Sequence, residues 1–317
     1  MSKIPAQAGR PEITVFYPAL GQNVPLTQDE VSFAALPNAP PQPGNGRLIV
    51  ISHGSGSAAS SYADLARTLV EAGFVVALPQ HKGDHRGDNS AAGPESWKTR
   101  PAEISAAIDA MAEDRRFSPH LRLDRVGMYG LSAGGHTALT LAGARWSPAR
   151  LVSHCEQHIR QDFNACAGLV FAQRGNWLDE VKTAIVLQVL RWRFSERREY
   201  SYHEPRIAAI VAAVPYASNI LPQSLAPAKV PFTLITSRQD QWLHPEFHSD
   251  PILQACRRCS LLHDFQYGGH GAMLSPIRAY RDPLLIKLIA DPPRFDRRET
   301  ATVNRKVAAY FLAQLGN

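Results

Sequence analysis

Hydrophobic positions along the chain fall into short unbroken runs that alternate with longer stretches of helical spacing. Arg47–Ser52 and Phe74–Leu78 are continuous apolar runs of strand length, and Arg125–Tyr129, Ile207–Val214, Phe232–Thr236 and Leu261–Phe265 read as further strands. Such runs mark a parallel sheet covered by helices on both sides. Glu12–Tyr17 reads as an earlier strand, Val31–Ala35 as a weaker second one, and Pro37–Gly46 as a connector. Between the strands, Ser61–Ala72 has helical periodicity and Gly73 as its stop. His81–Arg100 reads as a polar loop, and a helix is expected from Pro101 to Glu113 with proline at its start. Small residues from Gly135 to Ala144 form a further helix, and Glu299–Leu315 forms the last. The expectation is an α/β fold with a mostly parallel central sheet and right-handed crossovers.

One stretch breaks the alternation. Trp146–Arg206 is about sixty residues long and contains an apolar-rich helix near Leu178–Phe194. Structureless loops of that length are rare in compact domains, so residues 146–206 are expected to be an inserted cap or lid within a single domain spanning 1–317.

The chemistry concentrates at Gly130-Leu-Ser-Ala-Gly134, placed between the Arg125–Tyr129 strand and the helix that follows. A nucleophilic serine on a tight strand-to-helix turn leaves no room for side chains at the flanking positions, which accounts for both glycines. Its hydroxyl needs a base to accept the proton and an acid to orient that base. No Asp or Glu occurs from Pro205 to Gln239, so Asp240, after the Phe232–Thr236 strand, is the candidate acid. His270, in Tyr267-Gly-Gly-His-Gly271 after the Leu261–Phe265 strand, is the candidate base. His263 lies inside that strand, while His244 and His248 come too early in the topology. For an oxyanion hole the candidate donors are the backbone N–H groups of Ala133 and of Ser55 in His53-Gly-Ser-Gly56, with Gly54 as alternative to Ser55. His81, Asp84, His85 and Asp88 could be taken for a metal site, but they lack metal-ligand spacing and read as a solvated loop. No metal and no cofactor is expected.

Four blocks now point to a family: Ser52-His-Gly-Ser-Gly56, Gln80-His-Lys-Gly-Asp-His-Arg-Gly-Asp-Asn89, Trp97-Lys-Thr-Arg-Pro101 and Gly130-Leu-Ser-Ala-Gly-Gly135. Together with the order of elements they resemble the bacterial predicted dienelactone hydrolases related to platelet-activating-factor acetylhydrolases, within the α/β-hydrolase superfamily. The resemblance covers about residues 12 to 145 and the blocks around Asp240 and His270. It implies an α/β-hydrolase fold, a Ser132, Asp240, His270 triad and hydrolysis of carboxylic esters with water as second substrate. Dienelactone hydrolases proper carry a cysteine nucleophile where this chain has Ser132, so lactone specificity is not implied. Polyester hydrolysis, acyl transfer and a non-catalytic ligand-binding homologue remain alternatives on the same fold; a peptidase is disfavoured because its usual extra domain has no room here.

Composition trims this picture. With 317 residues, 44% hydrophobic and 20% charged, the chain is globular, and no apolar run approaches the ~20 residues of a transmembrane helix. The net charge of +6 invites a nucleic-acid reading, but the basic residues are diffuse, and the clusters Arg191–Arg198 and Arg294–Arg298 contain Glu196 and Asp296. No nucleic-acid partner is expected; the expected partner is a small-molecule ester. Apolar residues at helical spacing in Val181–Phe194 suggest a helix packing on the core in preference to a lipid-touching lid. Cys155 with Cys166, and Cys256 with Cys259, admit two readings: two local disulfides in an exported protein, or four thiols in a cytosolic one. Met1–Pro18 has no signal-peptide pattern, which places the chain as written in the cytoplasm, or in the periplasm or medium if a signal was trimmed.

Overall fold

The computed structural model describes residues 1–168, 171, 173, 175–277 and 283–316. In chain order, β1 (Ser2–Ile4) and β2 (Ile13–Phe16) precede a hairpin of β3 (Val24–Gln28) and β4 (Val31–Ala35). Then follow β5 (Leu48–Ser52), α1 (Ala63–Glu71), β6 (Val75–Pro79), α2 (Pro94–Glu113), β7 (Val126–Leu131) and α3 (Ala133–Leu141). The next segment holds β8 (Arg145–Trp146), α4 (Pro148–His158), α5 (Phe163–Ala167) and α6 (Leu178–Arg193). The chain ends with β9 (Ile207–Ala213), β10 (Ile220–Leu221), β11 (Phe232–Ser237), α7 (Ser249–Ala255), β12 (Ser260–Phe265), α8 (Pro283–Ile289) and α9 (Arg298–Leu315).

Eight strands form one sheet in the order β1-β2-β6-β5-β7-β9-β11-β12. Pairing is antiparallel at β1/β2 and β2/β6 and parallel at the other five. The unbroken apolar runs have the expected consequence: alternate residues of one strand enter opposite cores. Leu48 and Val50 of β5 pack with α2 and α3, whereas Ile49 and Ile51 pack with α1 and α9. Val126 and Met128 of β7 join the first core, Tyr129 and Leu131 the second.

The sequence reading did not place α7 or α8, and the first half of the chain departs from the expected elements in three places. The helix expected at Pro101 begins at Pro94, and Pro101 lies inside it. Proline at the first helical position needs no N–H partner, so Pro94 starts the helix as readily as Pro101, and Pro94–Arg100 becomes helix instead of loop. The strand Val31–Ala35 forms a separate hairpin with Val24–Gln28, which the sequence reading missed. Its turn uses Asp29 and Glu30, both at positive φ, in place of the usual Asn-Gly, and Pro25 interrupts the strand pattern. The N-terminal β1 was also missed; it is only three residues long.

In the 146–206 segment, residues 169, 170, 172 and 174 lie outside the described residues. Leu151, Cys155, Ile159, Phe163, Val186 and Leu190 of α4, α5 and α6 extend the core on the α2/α3 side. Cys155 and Cys166 form a disulfide that joins α4 to α5, while Cys256 and Cys259 are thiols. Neither sequence expectation for the cysteines holds whole: one pair is bridged and one is not. Burial pushes the Cys259 thiol up to about 12, and its backbone N–H donates to Cys256 Sγ at 2.9 Å.

Candidate active site

Ser132 sits between the last residue of β7 and the first of α3, with φ 57° and ψ −115°. A non-glycine residue in this region is strained and persists only where its surroundings hold it. Here its N–H donates to the Ala213 carbonyl at 3.1 Å, and its carbonyl accepts from His136 N and Tyr216 N at 3.0 and 3.1 Å. The two glycines of the pentapeptide answer to contact. A Cβ on Gly130 would lie 2.0 Å from the Gly134 carbonyl oxygen, and one on Gly134 would lie 1.9 Å from the Ser52 carbonyl oxygen. The tight turn closes against itself and against β5.

Three side chains from three loops meet at this turn. His270 Nε2 lies 3.1 Å from Ser132 Oγ, and His270 Nδ1 lies 2.7 Å from Asp240 Oδ2. A carboxylate only accepts, so Nδ1 carries the proton and Nε2 presents its lone pair to the serine hydroxyl. Asp240 is buried, and its other oxygen accepts from the N–H groups of Trp242 and Leu243 at 2.8 and 2.9 Å. The two loops are stitched together by Gln239 N–H to the Gly268 carbonyl at 3.0 Å. Arg297, from the Arg294–Arg298 cluster, donates to the carbonyls of Gly271 and Leu274 at 3.2 and 2.6 Å and so holds the His270 loop from behind.

The competing histidines lie elsewhere. His263 bonds Glu299 Oε1 of α9 at 2.7 Å. His248 accepts the Ala217 N–H at 2.9 Å and faces the buried Asp162 at 3.2 Å. Asp162 also meets His154 at 2.8 Å; burial pushes its carboxyl up, but the two histidine bonds outweigh that and hold it at about 2.

The Ala133 N–H opens α3 and has no intrahelical carbonyl to bond. Across from it, the loop after β5 passes beside Ser132, close enough that a Cβ on Gly54 would sit 3.5 Å from Ser132 Cβ. The Gly54 N–H is already committed to the Tyr62 hydroxyl at 2.9 Å. The Ser55 N–H makes no bond to another described residue.

What fixes this loop is a buried ion pair that the sequence reading did not find. Asp84 and Arg100 are both fully buried and meet at 2.8 Å. Asp84 accepts from Ser55 Oγ, from Gly56 N–H at 3.2 Å and from Ser96 Oγ at 2.6 Å. Arg100 donates to the His53 carbonyl at 2.6 Å. Burial alone would raise the Asp84 carboxyl, yet Arg100 and the two serine hydroxyls bring it down to about 2. The expected solvated loop is corrected here: of its four candidate ligands, His81 and Asp84 are fully buried, while His85 and Asp88 reach solvent. His81 lies between Ser52 Oγ at 2.7 Å and Glu103 Oε2 at 2.6 Å. The available signal was Arg100 itself, an arginine seven residues from Gly93 that falls inward once the helix starts at Pro94. Among the described residues no group of three or more His, Cys, Asp or Glu side chains is placed to hold a metal ion.

A family model described as serine aminopeptidase, S33, matches residues 45–155. Among solved structures, the ferulic acid esterase from Streptomyces cinnamoneus superposes with a TM-score of 0.59 at 16% identity, covering 96% of this chain and 82% of that one. A carboxylesterase from Lactobacillus plantarum WCFS1 aligns at 16% identity with a TM-score of 0.47, over 96% of this chain and 93% of that one. No curated protein shows significant sequence similarity to the chain.

Proposed function

We propose that this chain, which has the α/β-hydrolase fold, is a serine-dependent carboxylic ester hydrolase. The observation that carries the reading is the relay from Asp240 through His270 to Ser132, with Ser132 held on a strained strand-to-helix turn. Ser132 Oγ attacks the acyl carbon while His270 Nε2 accepts the hydroxyl proton. Asp240 keeps the proton on Nδ1 and stabilises the imidazolium. The tetrahedral oxyanion is bound by the Ala133 and Ser55 N–H groups. His270 then protonates the leaving alcohol, and water, deprotonated by the same nitrogen, releases the acid.

The blocks shared with predicted dienelactone hydrolases and platelet-activating-factor acetylhydrolases support placing the protein in that subfamily, with small acyl esters as substrates. We read residues 146–206 as a cap over the site. Asn164 of that segment donates to the Gln241 carbonyl at 2.7 Å, next to Asp240, and Asp162 bonds His248. An amide substrate is a second reading, favoured by the S33 family match over residues 45–155.

Ser132→Ala is expected to lower turnover of p-nitrophenyl acetate by about 10⁴-fold or more with the thermal midpoint nearly unchanged. Retained activity, or failure of a fluorophosphonate to label Ser132, sinks the assignment. Hydrolysis of amino-acid p-nitroanilides faster than of esters would move the reading to a peptidase.

A further inference from the structure

The sequence reading expects α6 to pack on the core by its apolar face, and it does so with Val186 and Leu190, which join the α4 side of the core. The same helix has a second apolar face that stays exposed among the described residues. Trp177, Leu178, Val181, Ile185, Val189 and Trp192 are all exposed, the two tryptophans by 76% and 80%. At 100° per residue these six fall within one stripe about 120° wide, which also holds the exposed Gln188, with Val186 and Leu190 outside it. Leaving that much hydrocarbon in water is unfavourable, and contiguous exposed patches of this kind mark interaction surfaces.

Charge and aromatic placement indicate what covers the stripe. Four arginines and one glutamate lie between Arg191 and Arg198 at the C-terminal end of the helix. The Glu196 carboxylate is engaged by Lys98 at 2.8 Å, by the Tyr200 hydroxyl and by the charge of Arg198, which leaves the exposed Arg193 and Arg197 to add positive charge there. At the other end, Asp179 is tied to Lys182 at 2.8 Å and Glu180 to Arg160 at 3.1 Å. The result is a largely apolar stripe with an indole at each end and a surplus of arginine over acid beside one of them among the described residues. Helices with this make-up lie in the plane of a bilayer interface: the indoles settle at headgroup depth and the guanidinium groups meet lipid phosphates. The helix has 16 residues, about 24 Å of length, and no described helix is long and apolar enough to span a membrane, so it lies on the surface.

We propose that the exposed face of α6 docks the protein on anionic phospholipid surfaces. The proposal stands apart from the reaction assigned to Ser132, and Ser132→Ala protein serves equally well in the test. Flotation with phosphatidylcholine/phosphatidylglycerol vesicles is expected to carry the full chain up. Pure phosphatidylcholine vesicles are expected to bind roughly tenfold less or weaker, and added salt to release the protein. Trp177→Ser/Trp192→Ser and, separately, Arg193→Glu/Arg197→Glu are each expected to weaken binding by about tenfold or more, with thermal midpoint and p-nitrophenyl acetate turnover unchanged. Absence of binding to anionic vesicles overturns the proposal, as does binding that neither variant reduces. A dimer in sedimentation velocity that the tryptophan variant dissociates overturns it too, and assigns the stripe to a second copy of the chain.

Discussion

Ser132 illustrates how much of the site is backbone. Its strained φ is held by three main-chain hydrogen bonds, and its two flanking glycines are required by carbonyl oxygens about 2 Å from where a Cβ would stand. The loop proposed to bind the oxyanion depends on side chains instead: Arg100 grips the His53 carbonyl, and Asp84 grips Ser55 and Gly56. In the proposed mechanism Arg100 and Asp84 are therefore positioning residues. Arg100→Lys keeps the charge but loses the fork that reaches both partners. It is expected to reduce kcat for p-nitrophenyl acetate by about tenfold or more with a smaller change in KM, since the lost donor alignment matters most when the oxyanion forms. Arg100→Met leaves Asp84 buried without its counter-charge and is expected to destabilise the fold by about 3–5 kcal/mol, read by chemical denaturation. A kcat unchanged by Arg100→Lys would reduce the pair to a purely structural role.

Among the elements, the 146–206 segment contributes apolar side chains to the core on the α2/α3 side yet is tied down covalently within itself. The Cys155–Cys166 bridge closes a loop with a sequence separation of 11 between α4 and α5. Chain-entropy arguments give a loop of this size about 3 kcal/mol. Cys155→Ala/Cys166→Ala is expected to lower the thermal midpoint by several degrees and to raise proteolytic cleavage between α4 and α6 before the rest of the chain is cut. Uniform cleavage across the chain would mean that the segment does not open separately. Cys256→Ser is expected to change neither readout, because Cys256 and Cys259 are unbridged.

Over the whole molecule, buried titratable groups set how the fold responds to acid. Burial, with Arg100 nearby, holds His136 down to about 3, and burial, His81 and Arg100 hold His53 well below its ordinary 6.5. Both histidines accept a proton more readily in the unfolded chain, so each favours unfolding by about 1.4 kcal/mol per pH unit once the pH falls below about 6.5. Asp84 and Asp162, held at about 2, add stability that is intact above the ordinary carboxylate range and is lost as the pH drops from about 4 toward 2. The thermal midpoint is thus expected to be flat above pH 7, to fall below about 6.5 and to fall more steeply below about 4. A midpoint that stays constant down to pH 4 would contradict the burial of neutral histidines. Removing His136 by His136→Gln should flatten the upper part of the decline.

The order of strands and helices, and the candidate residues Ser132, Asp240 and His270, were legible from the sequence because they rest on local rules. Unbroken apolar runs make buried strands, glycines mark crowded turns, and the absence of acids from Pro205 to Gln239 leaves one position for the carboxylate. The Asp84–Arg100 pair and the true start of α2 were not legible. Both depend on which face of a helix turns inward, and that is decided by packing against β5 and its loop, not by neighbours in sequence. The same holds for α6, whose two apolar faces look alike in sequence. Tertiary packing buried Val186 and Leu190 and left Trp177 and Trp192 in solvent, because a helix at the edge of the core meets protein on one side only.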